Sequence, residues 1–245
     1  MMNILSSTAS HPSAGLRETT RGKGEDNLAW LARNKPEGDG SVIVLLGGTT
    51  PTAFRLRVAQ SHLRHDLHPS SWSHVVLLDR WGRRPGSTRL HEIRLEGPNI
   101  ADYPPPTNAV QTGSLAAYGD PVRFPNIAVL RVPVPPKELR AALARFRMQR
   151  TVLDAVDLVV RWLAFCWGVA GTGNPLLAGY GIPAAAMLDV VMGAAGFDLT
   201  PGLESRASCP EAIWQSAKWW HEYYEKQNLP RLDGAYVVAH KLMED

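Results

Sequence analysis

The order of the predicted elements constrains the fold of this chain most strongly, because strand-like runs come first and helical segments follow. Short apolar runs predict strands at residues 42–46, 72–79, 88–95 and 127–132. Longer segments predict helices at residues 135–150, 152–169, 183–195 and 208–226. A doubly wound sheet would alternate the two types. The sequence therefore predicts an α+β fold with a small antiparallel sheet packed against helices.

The predicted elements also suggest how the chain is divided into domains. A length of 245 residues is typical of one large domain. Residues 1–37 carry little periodic signal, and we expect them to be a flexible lead-in. Residues 38–245 then form a single domain, with a helical insertion around residues 135–196. Residues 97–125 are rich in proline and glycine and predict a long surface excursion.

Composition argues against several classes of function. The formal net charge is only +3, whereas nucleic-acid binders usually carry a dense basic stripe, so we expect no nucleic-acid partner. The two cysteines, Cys166 and Cys209, are too few for a disulfide framework. They form no CxxC pair, so we expect no zinc site and no other cofactor.

The N-terminal segment and the apolar segments bear on location. The first 24 residues lack a continuous apolar stretch of the signal-peptide type, so we expect a cytoplasmic protein. The most apolar stretch, residues 152–169, is short and is interrupted by charges, which favours a buried helix over a membrane span. Contact with a membrane surface through Trp162 and Trp167 is left open.

Cys209 has the sequence context of a reactive thiol. Pro210 suits the first position of a helix and Glu211 suits its first turn, which places Cys209 at the N-cap. The helix dipole and unpaired backbone N–H groups there favour the thiolate, so we expect a lowered pKa for Cys209. The same N–H groups could stabilise an oxyanion. The alternative is a buried cysteine that only packs beside a proline-started helix.

A base for this thiol must come from elsewhere in the chain. His74 lies early in a predicted strand, and Glu92 lies on the strand expected to pair with it, where Glu92 could orient the imidazole ring. His91 should face the other side of that strand, because side chains alternate. His240 is a second candidate base near the C-terminus.

Three other features have two readings each. The histidines at 62, 65 and 68 could ligate a metal ion, but their loop context favours a solvated segment. The glycine-dense residues 168–183 predict either a pocket wall over Cys209 or a helix-packing turn. Aromatic residues on the Cys209 helix favour core positions, and those left over could form a partner surface, which leaves a homodimer open.

Three short segments resemble the circularly permuted NlpC/P60 group of papain-like enzymes, which includes YiiX-type amidases and the lecithin–retinol acyltransferase type. Residues 38–46 (GDGSVIVLL) are similar to the opening "GD" strand of the group. Residues 71–76 (SWSHVV) are similar to its "SHVGI" strand, and residues 90–92 (LHE) to the strand that follows. Residues 208–213 (SCPEAI) are similar to its "CSELV" helix start.

The resemblance implies a permuted papain-like fold and a cysteine-dependent hydrolase, namely an amidase, peptidase or thioesterase. By the matching positions, Cys209 would be the nucleophile, His74 the general base and Glu92 the orienting residue. Trp72, Ser73 and Ser208 flank these positions and would contact a small-molecule, peptide or acyl substrate. Pro210 departs from the family pattern, which has a small polar residue after the cysteine. The alternatives are an acyltransferase with the same Cys–His site, or a catalytically inactive binding or scaffold domain.

Overall fold

A single seven-stranded sheet forms the centre of the protein in the part of the chain that the computed structural model describes, residues 16–95, 107–227 and 232–239. The strand order across the sheet is β1-β7-β6-β2-β3-β4-β5. Neighbours are antiparallel except for β1 and β7, which are parallel. The strands are β1 (Leu16–Glu18), β2 (Ser41–Gly47), β3 (His74–Arg80), β4 (Arg89–Glu92), β5 (Gln111–Ser114), β6 (Asn126–Val132) and β7 (Asp233–Val237).

Six α-helices flank the described part of the sheet, and several begin where the sequence supplies a cap. The Asp154 side chain accepts hydrogen bonds from two backbone N–H groups, and prolines occupy the first turn of other helices. The helices are α1 (Asn27–Arg33), α2 (Pro51–Ala59), α3 (Pro136–Met148), α4 (Ala155–Cys166), α5 (Pro183–Ala194) and α6 (Pro210–Gln227).

Two hydrophobic cores lie on the two faces of the sheet, because alternate side chains of each strand point in opposite directions. In β3, Val75 and Leu77 belong to the first core, which the helices from α2 to α6 cover. Val76 and Leu78 belong to the second core, which α1 covers. The second core also contains the buried Trp30 of α1 and Tyr118. Each strand of the sheet interior is therefore buried on both sides.

The α+β class predicted from the order of elements is confirmed. The structure contains each predicted strand and helix within a few residues of its expected bounds. The predicted pairing of β3 with β4 is also present, with Leu77 opposite His91. The sheet is larger than expected, and its β1–β7 pair is parallel.

Two sequence expectations are wrong in the part of the chain that the structure describes. The lead-in expected up to residue 37 contains β1 and α1, and Trp30 is fully buried. The surface excursion expected at residues 97–125 contributes β5, while Leu115 and Tyr118 are buried. Short elements with few apolar residues give weak periodicity, so their burial depends on tertiary contacts that the local sequence does not show.

Candidate functional site

A histidine–glutamate pair lies at the edge of the second core. His74 is the first residue of β3, and Glu92 is the last residue of β4, the neighbouring strand. His74 Nε2 lies 2.7 Å from Glu92 Oε2, so the predicted contact between these two side chains is confirmed. The His74 side chain is 17% exposed and that of Glu92 is 1% exposed. A buried carboxylate therefore fixes the orientation of a partly accessible imidazole ring.

Two further side chains hold Glu92. The Tyr118 hydroxyl donates to Glu92 Oε2, the oxygen that also contacts His74. Arg94 Nε donates to the other oxygen, Oε1, at 2.8 Å. Burial alone would raise the pKa of Glu92, but the hydrogen bonds from His74 and Tyr118 and the charge of Arg94 outweigh it, so this pKa is lowered. Glu92 is accordingly a carboxylate at neutral pH.

The charge of Glu92 determines which nitrogen of neutral His74 carries the proton. A carboxylate can only accept hydrogen bonds, so the neutral ring donates from Nε2 and leaves Nδ1 unprotonated. Nδ1 makes no hydrogen bond to any residue in the described ranges. His74 thus presents a basic nitrogen whose orientation is set by Glu92.

A cavity of about 290 Å³ adjoins this pair. His74 and Tyr118 contribute to its wall from the second core, while Leu56 and Ile182 contribute from the first. The cavity therefore lies at the end of the sheet where the two cores meet. Its walls combine apolar side chains with a small number of polar groups, as is typical of small-molecule sites.

Cys209 lies directly before α6, as the proline-started helix predicted. Its carbonyl accepts the hydrogen bond from Ile213 N at 3.0 Å, and the N–H groups of Ala212 and Glu211 donate towards its sulfur. Gln60 Oε1 also accepts from Glu211 N at 2.8 Å, and Ser70 Oγ donates to the buried Glu211 carboxylate at 2.6 Å. These contacts fix the start of the helix against the segment between α2 and β3.

The lowered pKa expected for the Cys209 thiol is wrong. Cys209 is fully buried, and burial raises its pKa to about 12 although two backbone N–H groups favour the thiolate. The local sequence showed the helix terminus but not the apolar surroundings, whose effect is the larger one. At neutral pH the thiol is protonated.

The structure does not bring Cys209 into contact with His74. His74 lies opposite Leu46 in the β2–β3 pair, and Leu46 belongs to the second core. Cys209 belongs to the first core, on the other face of the sheet. Within the described ranges, no hydrogen bond joins the two side chains. Glu92 is the predicted partner that reaches His74.

Cys209 is nevertheless connected to the cavity wall through its neighbour in the sequence, Ser208. The carbonyl of its neighbour Ser208 accepts a hydrogen bond from Ile182 N at 3.0 Å, and Ile182 lines the cavity. Gly181 N likewise bonds to Arg206 O at 2.8 Å. The end of the glycine-dense segment is therefore a wall between the cavity and the residues leading to Cys209. This position fits the pocket-wall reading of that segment.

The three residues expected to contact substrate have different positions. Ser73 lines the cavity, but its hydroxyl donates to Leu46 O at 3.2 Å and accepts from Gly48 N at 3.0 Å. Trp72 and Ser208 are fully buried and do not line the cavity. The Trp72 indole N–H and the Ser208 hydroxyl have no hydrogen-bond partner in the described part of the chain.

Four other histidines within the described ranges, those at 62, 65, 68 and 91, take no part in the pair. His91 faces the first core, as alternation predicted, where Arg147 donates to its Nδ1 at 3.1 Å. The side chains at 62, 65 and 68 are exposed, and no group of three or more metal-binding side chains is found among the described residues. His240 lies outside the described residues.

Some of the aromatic residues considered for surface contacts are buried and others are exposed. Trp162 is fully buried and donates to Gly181 O at 2.7 Å, so it cannot reach a membrane surface, whereas Trp167 is 72% exposed. None of the described helices has the length and apolar character that crossing a bilayer requires. On α6, Trp214 is buried while Trp219 and Tyr223 stack on each other and are partly exposed.

The fold and the site together define an α+β protein with a glutamate-held histidine in a cavity. Comparison with known proteins gives no narrower class, since no protein-family model, no curated protein and no solved structure matches the chain.

Tyr118 and Arg94 are site residues that the sequence reasoning missed. Tyr118 lies in the segment expected to be a surface excursion, and nothing in its local sequence indicates burial. Arg94 lies two residues after Glu92, which on a strand places both side chains on one face, and this spacing was an available signal. The Tyr118 contact depends on β5 and the turn after it, whereas the Arg94 contact is local to the end of β4.

Proposed function

We propose that the chain is a hydrolase of acyl compounds, with His74 as its general base, Glu92 as the residue that orients His74, and Cys209 as its nucleophile. The observation that carries the proposal is the 2.7 Å contact between His74 Nε2 and the buried Glu92 carboxylate at the wall of a cavity. A base held by a third group beside a substrate-sized space is the arrangement that general-base catalysis requires.

The chemistry of the proposal is acyl transfer in two steps. The Cys209 sulfur attacks an amide, ester or thioester carbon, and its proton passes through His74 Nδ1 to the leaving group as the old bond breaks. Water then attacks the thioester, His74 accepts its proton, and the acid product leaves with the thiol restored. Among the N–H groups at the start of α6, that of Ala212 would stabilise the oxyanion in both steps, because that of Glu211 already donates to Gln60 Oε1.

The raised pKa of Cys209 sets a condition on this mechanism. A thiol with a pKa of about 12 is not a preformed thiolate at neutral pH, so deprotonation must accompany the attack. The thiol must also come within reach of His74, which requires the Ile182 wall to move. We therefore expect the reactive arrangement to form only when this wall opens towards the cavity.

A second candidate function is a catalytically inactive binding domain in which Cys209 only packs. The full burial of Cys209 and its raised pKa favour this reading. The cavity would then hold a ligand without turning it over.

Acylation by p-nitrophenyl acetate distinguishes the two candidates. The hydrolase proposal expects an acetyl group on Cys209, located by peptide mass spectrometry, and steady release of nitrophenol. His74→Ala and Glu92→Gln should each slow that release about 100-fold or more, the usual contribution of a general base and its support. His62→Ala is the matched control, because this exposed histidine contacts Ala59 O and does not line the cavity.

Three other outcomes of this assay would change the proposal. If Cys209→Ala retains full His74-dependent activity, the base is correct and water replaces Cys209 as nucleophile. If acetyl transfer to an added amine dominates over hydrolysis, the same site is an acyltransferase. If His74→Ala has no more effect than His62→Ala, the binding-domain candidate replaces the enzyme.

A further inference from the structure

A second cavity lies at the opposite end of β3 from His74. His74 is the first residue of β3, whereas Leu78, Asp79 and Arg80, at the end of that strand, line the second cavity. A strand rises about 3.3 Å per residue, so the two ends of β3 are about 20 Å apart. The volume of the second cavity is about 540 Å³, which is within the range of small-molecule sites. It is therefore a place for a ligand that is separate from the histidine–glutamate pair.

Basic side chains outnumber acidic ones on the walls of the second cavity. Among the described residues that line it, Lys35, Arg80 and Arg140 are basic, and Asp79 is acidic. Lys35 follows α1, Arg80 ends β3, and Arg140 lies in the second turn of α3. Folding thus brings positive charges from three separate parts of the chain to one space. Charges of one sign that line a cavity raise the local concentration of ligands of the opposite sign, so this arrangement favours an anion.

Asp79 neutralises only part of this positive charge. A terminal nitrogen of Arg140 lies 3.8 Å from Asp79 Oδ1, which is an ion pair without a hydrogen bond. Arg80 is exposed, and its guanidinium forms no hydrogen bond or ion pair with any residue in the described ranges. Arg80 therefore keeps its full capacity to donate hydrogen bonds to a ligand in the second cavity.

Trp81 gives the second cavity a flat apolar surface. Its indole ring is partly exposed, and Pro36 and Val42 line the same cavity. The Lys35 ammonium group lies 5.7 Å from the centre of the Trp81 ring. Tryptophan rings are good stacking surfaces for nucleobases and other flat rings, whichever base is present. A flat ring that carries an anionic group would therefore find an aromatic surface and positive charge side by side.

We propose that the second cavity binds a small molecule in which a flat ring carries an anionic group, of which nucleoside monophosphates are the simplest class. Trp81 would stack on the base, while Arg80 and Lys35 would bind the phosphate. A guanidinium group suits this role because it can donate two parallel hydrogen bonds to one phosphate. The inference does not rest on the proposed hydrolase, since the described residues that line the two cavities do not overlap.

Three probes separate the contributions of the ring and the phosphate. Isothermal titration calorimetry of the whole chain measures the binding of adenosine monophosphate, of adenosine and of inorganic phosphate. Adenosine can use only the Trp81 surface, and inorganic phosphate can use only the basic side chains. We expect adenosine monophosphate to bind about 10-fold more tightly than either of the other two, because it engages both parts of the cavity.

Two variants assign the two contributions to residues. Arg80→Gln should weaken the binding of adenosine monophosphate about 10-fold, the usual effect of a charge-assisted hydrogen bond, and should leave adenosine binding unchanged. Trp81→Leu should weaken the binding of both compounds. Arg145→Gln is the matched control, because Arg145 is exposed on the same helix as Arg140 but does not line the second cavity. It should leave all three affinities unchanged.

The results that would overturn the proposal are distinct from failure of the hydrolase. Adenosine monophosphate that binds no more tightly than inorganic phosphate would reject the ring surface, and binding no tighter than that of adenosine would reject the anion site. Absence of binding at millimolar concentration, or an equal loss in Arg80→Gln and Arg145→Gln, would reject the whole site. If Trp81→Leu fails to fold, the comparison of adenosine monophosphate with inorganic phosphate still tests the ring surface. His74→Ala should leave nucleotide binding unchanged whether or not the hydrolase proposal is correct.

Discussion

The Tyr118 hydroxyl donates to the same oxygen of Glu92 that contacts His74 Nε2. Three elements therefore meet at one carboxylate, because His74 begins β3, Glu92 ends β4, and Tyr118 lies in the turn after β5. The Tyr118 ring also lies 6.0 Å from the His74 ring, centre to centre. The position of His74 thus depends on a residue that is remote in sequence.

Tyr118→Phe should loosen this arrangement without removing the ring. Loss of one hydrogen bond to a buried carboxylate should destabilise the fold by about 1–3 kcal/mol and raise the pKa of Glu92. Urea denaturation measures the first effect and NMR titration of the Glu92 carboxyl carbon measures the second. Tyr223→Phe, at a half-exposed ring, is the control. Equal stability of the two variants would contradict the assigned role.

Glu92→Gln should change the response of stability to acid. The pKa of Glu92 is lowered in the folded protein, so its contribution to stability is present above the unfolded value near 4.5 and is lost as pH falls through the lower folded value. The wild type should therefore lose more stability than Glu92→Gln between neutral pH and pH 3. Denaturant midpoints measured across this range check the prediction, and parallel curves would refute it.

His91 should control a different pH window. Burial, with a further contribution from the charge of Arg147, lowers its pKa from 6.5 to about 4, so the folded protein favours the neutral ring. Its contribution is complete above pH 6.5 and is lost as pH falls towards 4, a change of about 3 kcal/mol at most. Melting temperatures of His91→Gln should fall less steeply over this window than those of the wild type. A steeper fall in the variant would show the opposite sign.

Opening the Ile182 wall should expose Cys209. In a Cys166→Ser background, native Cys209 should react with iodoacetamide far more slowly than a free thiol, since it is buried with a pKa of about 12. Ile182→Ala should accelerate the reaction about 10-fold or more, whereas Val191→Ala, a truncation in the same core within α5, should not. Rapid labelling of the protein with an intact Ile182 would contradict the burial.

Gln60→Ala should weaken the attachment of α6. The buried Gln60 side chain donates to the carbonyls of Leu56 and Trp72 and accepts from Glu211 N. Its loss leaves several buried groups without partners, so we expect a destabilisation of about 3 kcal/mol. The exposed Gln149→Ala should cost less than about 0.5 kcal/mol by the same denaturation assay. A destabilisation this small in Gln60→Ala would show that the Gln60 side chain does not hold α6 in place.

The sequence predicted the interior strands and the long helices because their apolar periodicity is strong. It also predicted that Glu92 reaches His74, since paired antiparallel strands place diagonal neighbours on one face within reach of each other. The same reasoning failed at Cys209, where the helix start was correct but the thiol pKa was not. The pKa of a thiol depends on burial, to which segments remote in sequence contribute. Tyr118 was missed because it follows β5, which has no clear local pattern.

Gly181 lies where the cavity wall and the residues before α6 approach each other most closely. A side chain there would collide with the carbonyls of Ser208 and Arg206, which lie closer than any real Cβ contact. The segment at residue 181 can contact residues 206–208 only while residue 181 has no side chain. A single methyl group would therefore push the cavity wall away from the residues that precede α6. Gly181→Ala would thus separate the cavity beside His74 from the segment that leads to Cys209 by the addition of one methyl group.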